Sequence, residues 1–137
     1  MSLFNVLDIA GSGMSAQALR LNTTASNLAN AETVSSSTNE TYRARYPVFS
    51  ATLNALGEAN RGAGVDVKGI VESQSPLRKE FAPSHPQADE AGYIYKPNVN
   101  MVEEMANMIA ASRSYQSNVE VAKTSKQLLM RTLSLGE

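Results

Sequence analysis

The chain has 137 residues, no cysteine and a formal net charge of −1, and its charged residues, 18% of the total, are mixed along the sequence. This length fits one structural unit, and the absence of cysteine excludes disulfides and thiolate sites. The mixed charge gives no basic stripe for nucleic acid. The apolar runs are shorter than the roughly 20 residues needed to cross a bilayer, so we expect a soluble protein. The N-terminus lacks a signal-peptide pattern, so we expect no cleavable signal.

A first long helix is predicted from Leu3 to Asn30, within an N-terminal segment of residues 1–33. One apolar position recurs every seventh residue, which is typical of a helix with a narrow apolar stripe. The stripe consists of Leu7, Met14, Leu21 and Leu28. Gly11 and Gly13 would each weaken this helix by up to about 1 kcal/mol relative to alanine. The sequence Gly11-Ser12-Gly13 follows no predicted strand. We therefore interpret it as a point of local flexibility rather than as a dinucleotide-binding loop.

The middle segment, residues 34–97, contains all five prolines and five of the eight glycines. Its polar run from Thr33 to Thr41 offers too little apolar surface to order itself. Short alternating patterns then predict strands at Tyr42–Phe49, Val65–Val71 and Tyr93–Tyr95. We therefore expect a small, irregular, β-rich insert.

A second long helix is predicted between Pro97 and Leu135, within a C-terminal segment of residues 98–137. Apolar or aromatic positions alternate at spacings of four and three over about five heptads, with Ser112 and Lys126 as polar interruptions, which is typical of a coiled coil. The apolar members are Met101, Met105, Met108, Tyr115, Val119, Ala122, Leu129 and Leu133. The predicted fold is mainly α, with long N- and C-terminal helices packing as a coiled-coil-like bundle around the insert.

The two ends of this second helix carry capping signals. Asn98 or Asn100 could cap its start, and Gly136 stands where a C-terminal cap would be. Glu103 and Glu104 lie in the first turns, where the helix dipole favours negative charge, and we expect both to be solvated.

The sequence does not decide whether the apolar stripes pack within the chain or against other chains. A methionine and leucine stripe can form the core of an intramolecular hairpin, and on the sequence alone we weigh this interpretation about equally with contacts between chains. Further apolar side chains off the stripes, such as Ile109 and Leu128, also need cover and favour contacts with other chains.

No constellation of residues predicts catalysis, a cofactor or a metal. His85 is the single histidine and lies between prolines, so one chain cannot provide a two-histidine metal site. No Gly-x-Ser-x-Gly nucleophile elbow is present, and adjacent Glu103 and Glu104 point about 100° apart on a helix. We therefore predict no enzyme activity, no cofactor and no small-molecule substrate.

Three polar residues near the end of the first helix share a spacing of three, namely Asn27, Asn30 and Thr33. Their side chains could cap the helix or bond to a neighbouring subunit, and local capping is the favoured interpretation.

The residues that carry a resemblance stand at both ends of the chain. Ser12–Ala16 and Ala25–Thr33 resemble the N-terminal signature shared by flagellar rod and hook proteins. Gly92–Asn100, Glu103–Met105 and Ala111–Glu120 are similar to proximal rod proteins of the bacterial flagellar basal body, and the resemblance covers nearly the whole chain. After the signature, many axial proteins continue with glycine and an aromatic residue, whereas this chain continues with valine and a serine run.

This resemblance implies a structural subunit that polymerises through its terminal helices into the drive shaft, which crosses the periplasm and transmits torque. It implies export by the flagellar type III apparatus without a cleaved signal. Implied partners are copies of the chain itself, other proximal rod proteins, the export-gate adaptor and further rod subunits. Two alternatives remain: a cytoplasmic helical-hairpin chaperone or binding module for an exported protein, and a secreted cell-wall enzyme, for which the sequence offers no paired acids.

Overall fold

The computed structural model describes residues 3–52 and 63–135. Its elements in chain order are α1 (Leu3–Asn30), β1 (Arg45–Thr52), β2 (Gly64–Glu72), β3 (Arg78–Phe81), β4 (Tyr93–Lys96) and α2 (Met101–Ser134). The ends of the predicted terminal segments at residues 1–2 and 136–137, with the proposed cap Gly136, lie outside the described residues, as do residues 53–62 of the insert.

Two long helices flank a small β-containing region, as the sequence predicts. β1 pairs with β2 in one two-stranded sheet, and β3 pairs with β4 in another. The second pair is antiparallel, with Arg78 opposite Lys96 and Phe81 opposite Tyr93. No helix in the described ranges is both long and apolar enough to cross a lipid bilayer.

Strand β3 is the element that the sequence did not predict. All four of its residues are exposed, and three of them are charged, so the alternation that marks a half-buried strand is absent. It forms because its backbone pairs with β4 and because Lys79 Nζ lies 3.9 Å from the ring centroid of Tyr93.

The chain divides into two compact units. Unit 1 contains the described parts of residues 1–21, 47–69 and 109–137, and unit 2 contains residues 22–46 and 70–108. Unit 2 has a small core in which Tyr42 and Tyr46 pack against buried Ala31, Ala44 and Val99.

In unit 1 the Gly-Ser-Gly sequence has specific contacts. Ser12 Oγ donates a hydrogen bond to the Ile9 carbonyl at 2.8 Å and accepts one from the Val65 amide at 3.1 Å. A Cβ placed on Gly13 would lie 2.7 Å from Asn118 Nδ2. The interpretation of this sequence as a flexible point is therefore replaced: Ser12 anchors the start of β2, and Gly13 allows Asn118 of α2 to approach α1.

The serine-rich run in unit 2 is ordered by backbone pairing rather than by apolar burial. Ser35 and Tyr95 exchange two backbone hydrogen bonds, each 3.0 Å long. Thr41 is buried, and its hydroxyl donates to the Ser37 carbonyl at 2.7 Å. The run therefore does not order itself through apolar burial, and β4 supplies the backbone partner that it lacks locally.

Candidate functional site

Asn27, near the end of α1, is completely buried and uses its whole amide in tertiary hydrogen bonds. Its Nδ2 donates to the Arg45 carbonyl at 2.9 Å and to Glu104 Oε2 at 3.1 Å. Its Oδ1 accepts from the Arg45 amide at 2.9 Å and from the Tyr42 hydroxyl at 2.8 Å. One side chain thus joins the end of α1, the start of β1 and the first turns of α2 within unit 2.

Glu104 completes this arrangement from α2 and is only 1% exposed. The expectation that it is a solvated residue is therefore wrong for Glu104, although Glu103 beside it is exposed. The helix is capped by Asn100, whose Oδ1 accepts from the Val102 amide at 3.1 Å. This cap fixes the first turn, and the turn directs Glu104 inwards. Its Oε1 has no hydrogen-bond partner among the described residues.

Tyr46 lies against the same carboxylate. Burial raises the pKa of Tyr46 to about 12, and the negative charge of Glu104 acts in the same direction. The phenol therefore stays neutral at physiological pH and can donate to the carboxylate. We call the side chains of Asn27, Tyr42, Tyr46 and Glu104, together with the Arg45 backbone, the polar cluster.

The polar cluster suits a structural role. Buried polar groups that are hydrogen-bonded fix one arrangement of the elements that carry them, because any slip leaves donors and acceptors unpaired. The cluster contains amide, phenol and carboxylate groups but no histidine, cysteine or lysine side chain. It can fix the end of α1 and the first turns of α2 within unit 2.

The other two members of the predicted signature make local bonds. Asn30 Nδ2 donates to the Ser26 carbonyl at 2.8 Å, and Thr33 Oγ1 donates to the Asn30 carbonyl at 2.7 Å. The Thr33 bond satisfies the carbonyl of Asn30, the last residue of α1, where helix carbonyls lack a partner within the helix. The structure therefore does not bring the three residues together at one site. The sequence spacing gave no sign of the tertiary role of Asn27.

The buried line on α2 consists of small or polar residues. Glu104, Ala111 and Ser125 are buried, Asn118 is half-buried, and these four positions follow each other every seventh residue. Ala111 is completely inaccessible and Ser125 is 5% exposed. The short side chains of Ala111 and Ser125 allow close approach of the helix to its neighbours in the chain.

The predicted apolar stripe of α2 lies beside this line. Met105 is 51% exposed, Val119 40% and Leu133 67%, while Met101 and Tyr115 are also exposed. The stripe members Met108, Ala122 and Leu129 are half-buried. Most of the large apolar side chains on this face therefore remain accessible in the single chain.

Helix α1 follows the same rule. Its stripe members Leu7, Met14, Leu21 and Leu28 are all half-buried. The buried positions on this helix are instead the small or polar residues Ala10, Ala16, Thr23, Thr24 and Asn27. In both helices the buried positions are small or polar residues, and larger apolar side chains keep accessible area.

The described residues offer no metal or catalytic constellation. Within residues 3–52 and 63–135, no group of three or more histidine, cysteine, aspartate or glutamate side chains could hold a metal ion. His85 Nδ1 accepts a hydrogen bond from the Gln87 amide at 3.1 Å, a local turn contact. A polar depression bordered by Arg43, Arg45 and Glu72 contains an Arg45–Glu72 ion pair at 3.0 Å. The hydroxyls of Thr33, Ser35 and Thr41 on its border donate to backbone carbonyls rather than to a basic side chain.

Comparison with known proteins gives a consistent family. Residues 7–34 match the model described as flagella basal body rod protein, and residues 90–135 match flagellar basal body rod FlgEFG protein C-terminal. The flagellar basal-body rod protein FlgC of Escherichia coli O6:H1 is 48% identical, and that of Salmonella typhimurium is 47% identical, each over the full length of both chains. The protein of the same name from Borreliella burgdorferi is 34% identical over 98% of both chains. These relatives are structural rod proteins rather than enzymes, and the chain belongs to their family, the flagellar basal-body rod protein FlgC.

Proposed function

We propose that the chain is a structural subunit of the proximal rod in the bacterial flagellar basal body, and that it polymerises through its two terminal helices. The observation that carries this function is the accessibility of the α2 stripe, where Met105, Val119 and Leu133 remain open in the single chain. The family and the names of its relatives support a rod component.

The energetics favour burial of these faces between chains. Fully burying a valine, leucine or methionine side chain stabilises by roughly 1.5 to 3 kcal/mol. At each half-exposed position about half of this burial free energy is still to be gained when a neighbouring subunit covers the side chain. Several such residues therefore give several kcal/mol per helix. The small core of unit 2, formed around Ala31, Ala44 and Val99, cannot replace this burial. We infer that the stripes of neighbouring subunits pack together in a coiled-coil-like bundle.

The three predicted segments then have distinct tasks. Residues 1–33 and 98–137 make the helical contacts with neighbours, and residues 34–97 decorate or lock the shaft. The polar cluster holds the junction of the two helices within each subunit, so the geometry of the helical contacts is set before assembly. Because many apolar contacts act in parallel around such a bundle, the assembly resists twisting and can transmit torque.

The proposed partners follow from this placement. They are copies of the chain, other proximal rod proteins, the export-gate adaptor and further rod subunits. We infer that the flagellar type III export apparatus delivers the chain without a cleaved signal to a rod that crosses the periplasm. The matching of both terminal regions to rod-protein models supports these assignments.

Purification of basal bodies from cells that carry a tagged copy tests the proposed function. Mass spectrometry of the rod fraction should recover the tagged chain together with other axial proteins. Recovery only in the soluble cytoplasmic fraction would contradict the rod assignment and would favour a chaperone or binding module for an exported protein.

A further inference from the structure

A shallow groove on the last turns of α2 combines positive charge with an apolar side chain. It is lined by Lys123, Lys126, Gln127, Met130 and Arg131, and we call it the basic groove. Met130 is 62% exposed, and the three cations are exposed as well. Within residues 3–52 and 63–135, none of these cations forms an ion pair. Within the described residues, the groove therefore presents three cations without an ion-pair partner around an accessible methionine.

The two units of the chain carry opposite net charge. The described part of unit 1 has six lysines and arginines against three carboxylates, whereas unit 2 has eight carboxylates against five lysines and arginines. Several acidic residues of unit 2 are paired, such as Glu32 with Arg78 and Glu80 with Lys96. Glu90 and Glu103 are exposed and form no ion pair with any described residue.

The start of α2 is complementary to the basic groove because it carries negative charge beside an exposed apolar side chain. Glu103 is exposed beside Val102, which is 77% exposed. The sequence contains no lysine or arginine between Lys96 and Arg113, so nothing nearby on the helix neutralises the carboxylate. An apolar side chain flanked by negative charge fits a groove in which cations surround Met130.

We propose that the basic groove of one subunit binds the acidic unit of a second copy of the chain, at the start of its α2 around Val102 and Glu103. This inference rests on the proposed rod function and specifies one contact within it. Because the two surfaces differ, the contact is heterologous, and its repetition produces a ring or an open helix. Complementary charge selects the partner and register, while the apolar pair contributes burial.

Charge reversal tests the contact in assembled rods. A chain with Lys123→Glu and Lys126→Glu should enter the rod at least about tenfold less well than the unaltered chain, because like charges would face each other. A chain with Glu103→Lys should fail in the same way. Cells that express both variants should recover rod incorporation of both, since the altered groove of one matches the altered acidic surface of the other.

A matched control and a cross-link separate the outcomes. Arg113→Glu, at an exposed cation outside the groove, should leave incorporation near normal, whereas Lys126→Glu alone should lower it. Because the chain has no native cysteine, a variant with Lys126→Cys and Glu103→Cys can be treated with a bismaleimide in purified rods. The expected products have the masses of two or more copies of the chain, because the contact repeats.

Three results would overturn this contact. They are normal incorporation of the groove variant, failure of the two variants to rescue each other, and a cross-link to a different protein. In each case recovery of the unaltered chain in the rod would leave the proposed function intact. Absence of the unaltered chain from the rod would instead refute the proposed function itself.

Discussion

Replacement of Asn27 by alanine is the sharpest test of the polar cluster. The substitution removes four hydrogen bonds and leaves the Arg45 amide, the Arg45 carbonyl, the Tyr42 hydroxyl and Glu104 Oε2 each without this partner. Each buried polar group that loses its partner costs about 1 to 3 kcal/mol, less where water or a neighbour replaces the bond. With partial replacement, we expect the free energy of unfolding to fall by about 3 to 5 kcal/mol, a large share of the stability of a small domain.

Asn30 provides the matched control, because it is the same residue type one turn later on α1. Its Nδ2 makes one local bond, to the Ser26 carbonyl. Asn30→Ala should therefore cost only about 0.5 to 1.5 kcal/mol. Urea unfolding of the dilute full chain, followed by circular dichroism, measures both values. Equal small losses for the two variants would refute the structural role of the polar cluster.

Two further perturbations test local features of the structure. Gly11→Ala should raise the free energy of unfolding by about 0.5 to 1 kcal/mol, since its Cβ meets no atom within 4 Å. Gly13→Ala should raise this free energy less, or lower it, because its Cβ would meet Asn118. Urea unfolding of the two variants measures the difference. Tyrosinate absorbance, taken as the difference from Tyr46→Phe, should show ionisation of Tyr46 near pH 12 rather than at its ordinary pKa of 10.0, and Glu104→Gln should lower that pKa. Because the fold favours the neutral phenol, its contribution to stability is complete below the ordinary pKa and is lost as pH rises towards 12. Equal effects of the two glycine substitutions, or an unshifted Tyr46, would contradict these contacts.

The two long helices were predictable because each carries one repeated pattern over many turns without proline. Helix α1 has the bounds that the sequence predicted, Leu3–Asn30, and α2 begins immediately after its cap, Asn100. Each signal is local, so neighbouring positions along the chain suffice to detect it. The strands β1, β2 and β4 overlap predicted segments for the same reason.

The polar cluster was not predictable from local pattern. Asn27 and Glu104 bond across 77 positions of sequence, and each looks like an ordinary helix-end residue in its own neighbourhood. The burial of a carboxylate depends on which groups the fold brings to it, here an amide and the phenol of Tyr46. Strand β3 was missed for a related reason, because its partner β4, rather than its own composition, makes it a strand.

Incorporation of a single stripe variant into rods tests the central claim most directly. Val119 is 40% exposed in the single chain, so Val119→Asp should lower the stability of the monomer by only about 1 kcal/mol, the part of the burial energy that valine already has there. In an apolar contact between subunits the same carboxylate would be buried without a partner, at a cost of several kcal/mol. The control is Ser117→Asp, at an exposed position outside the stripe. Quantitative mass spectrometry of purified rods should find the Ser117 variant at the level of the unaltered chain and the Val119 variant nearly absent. Equal incorporation of the two would contradict assembly through the apolar faces of the helices.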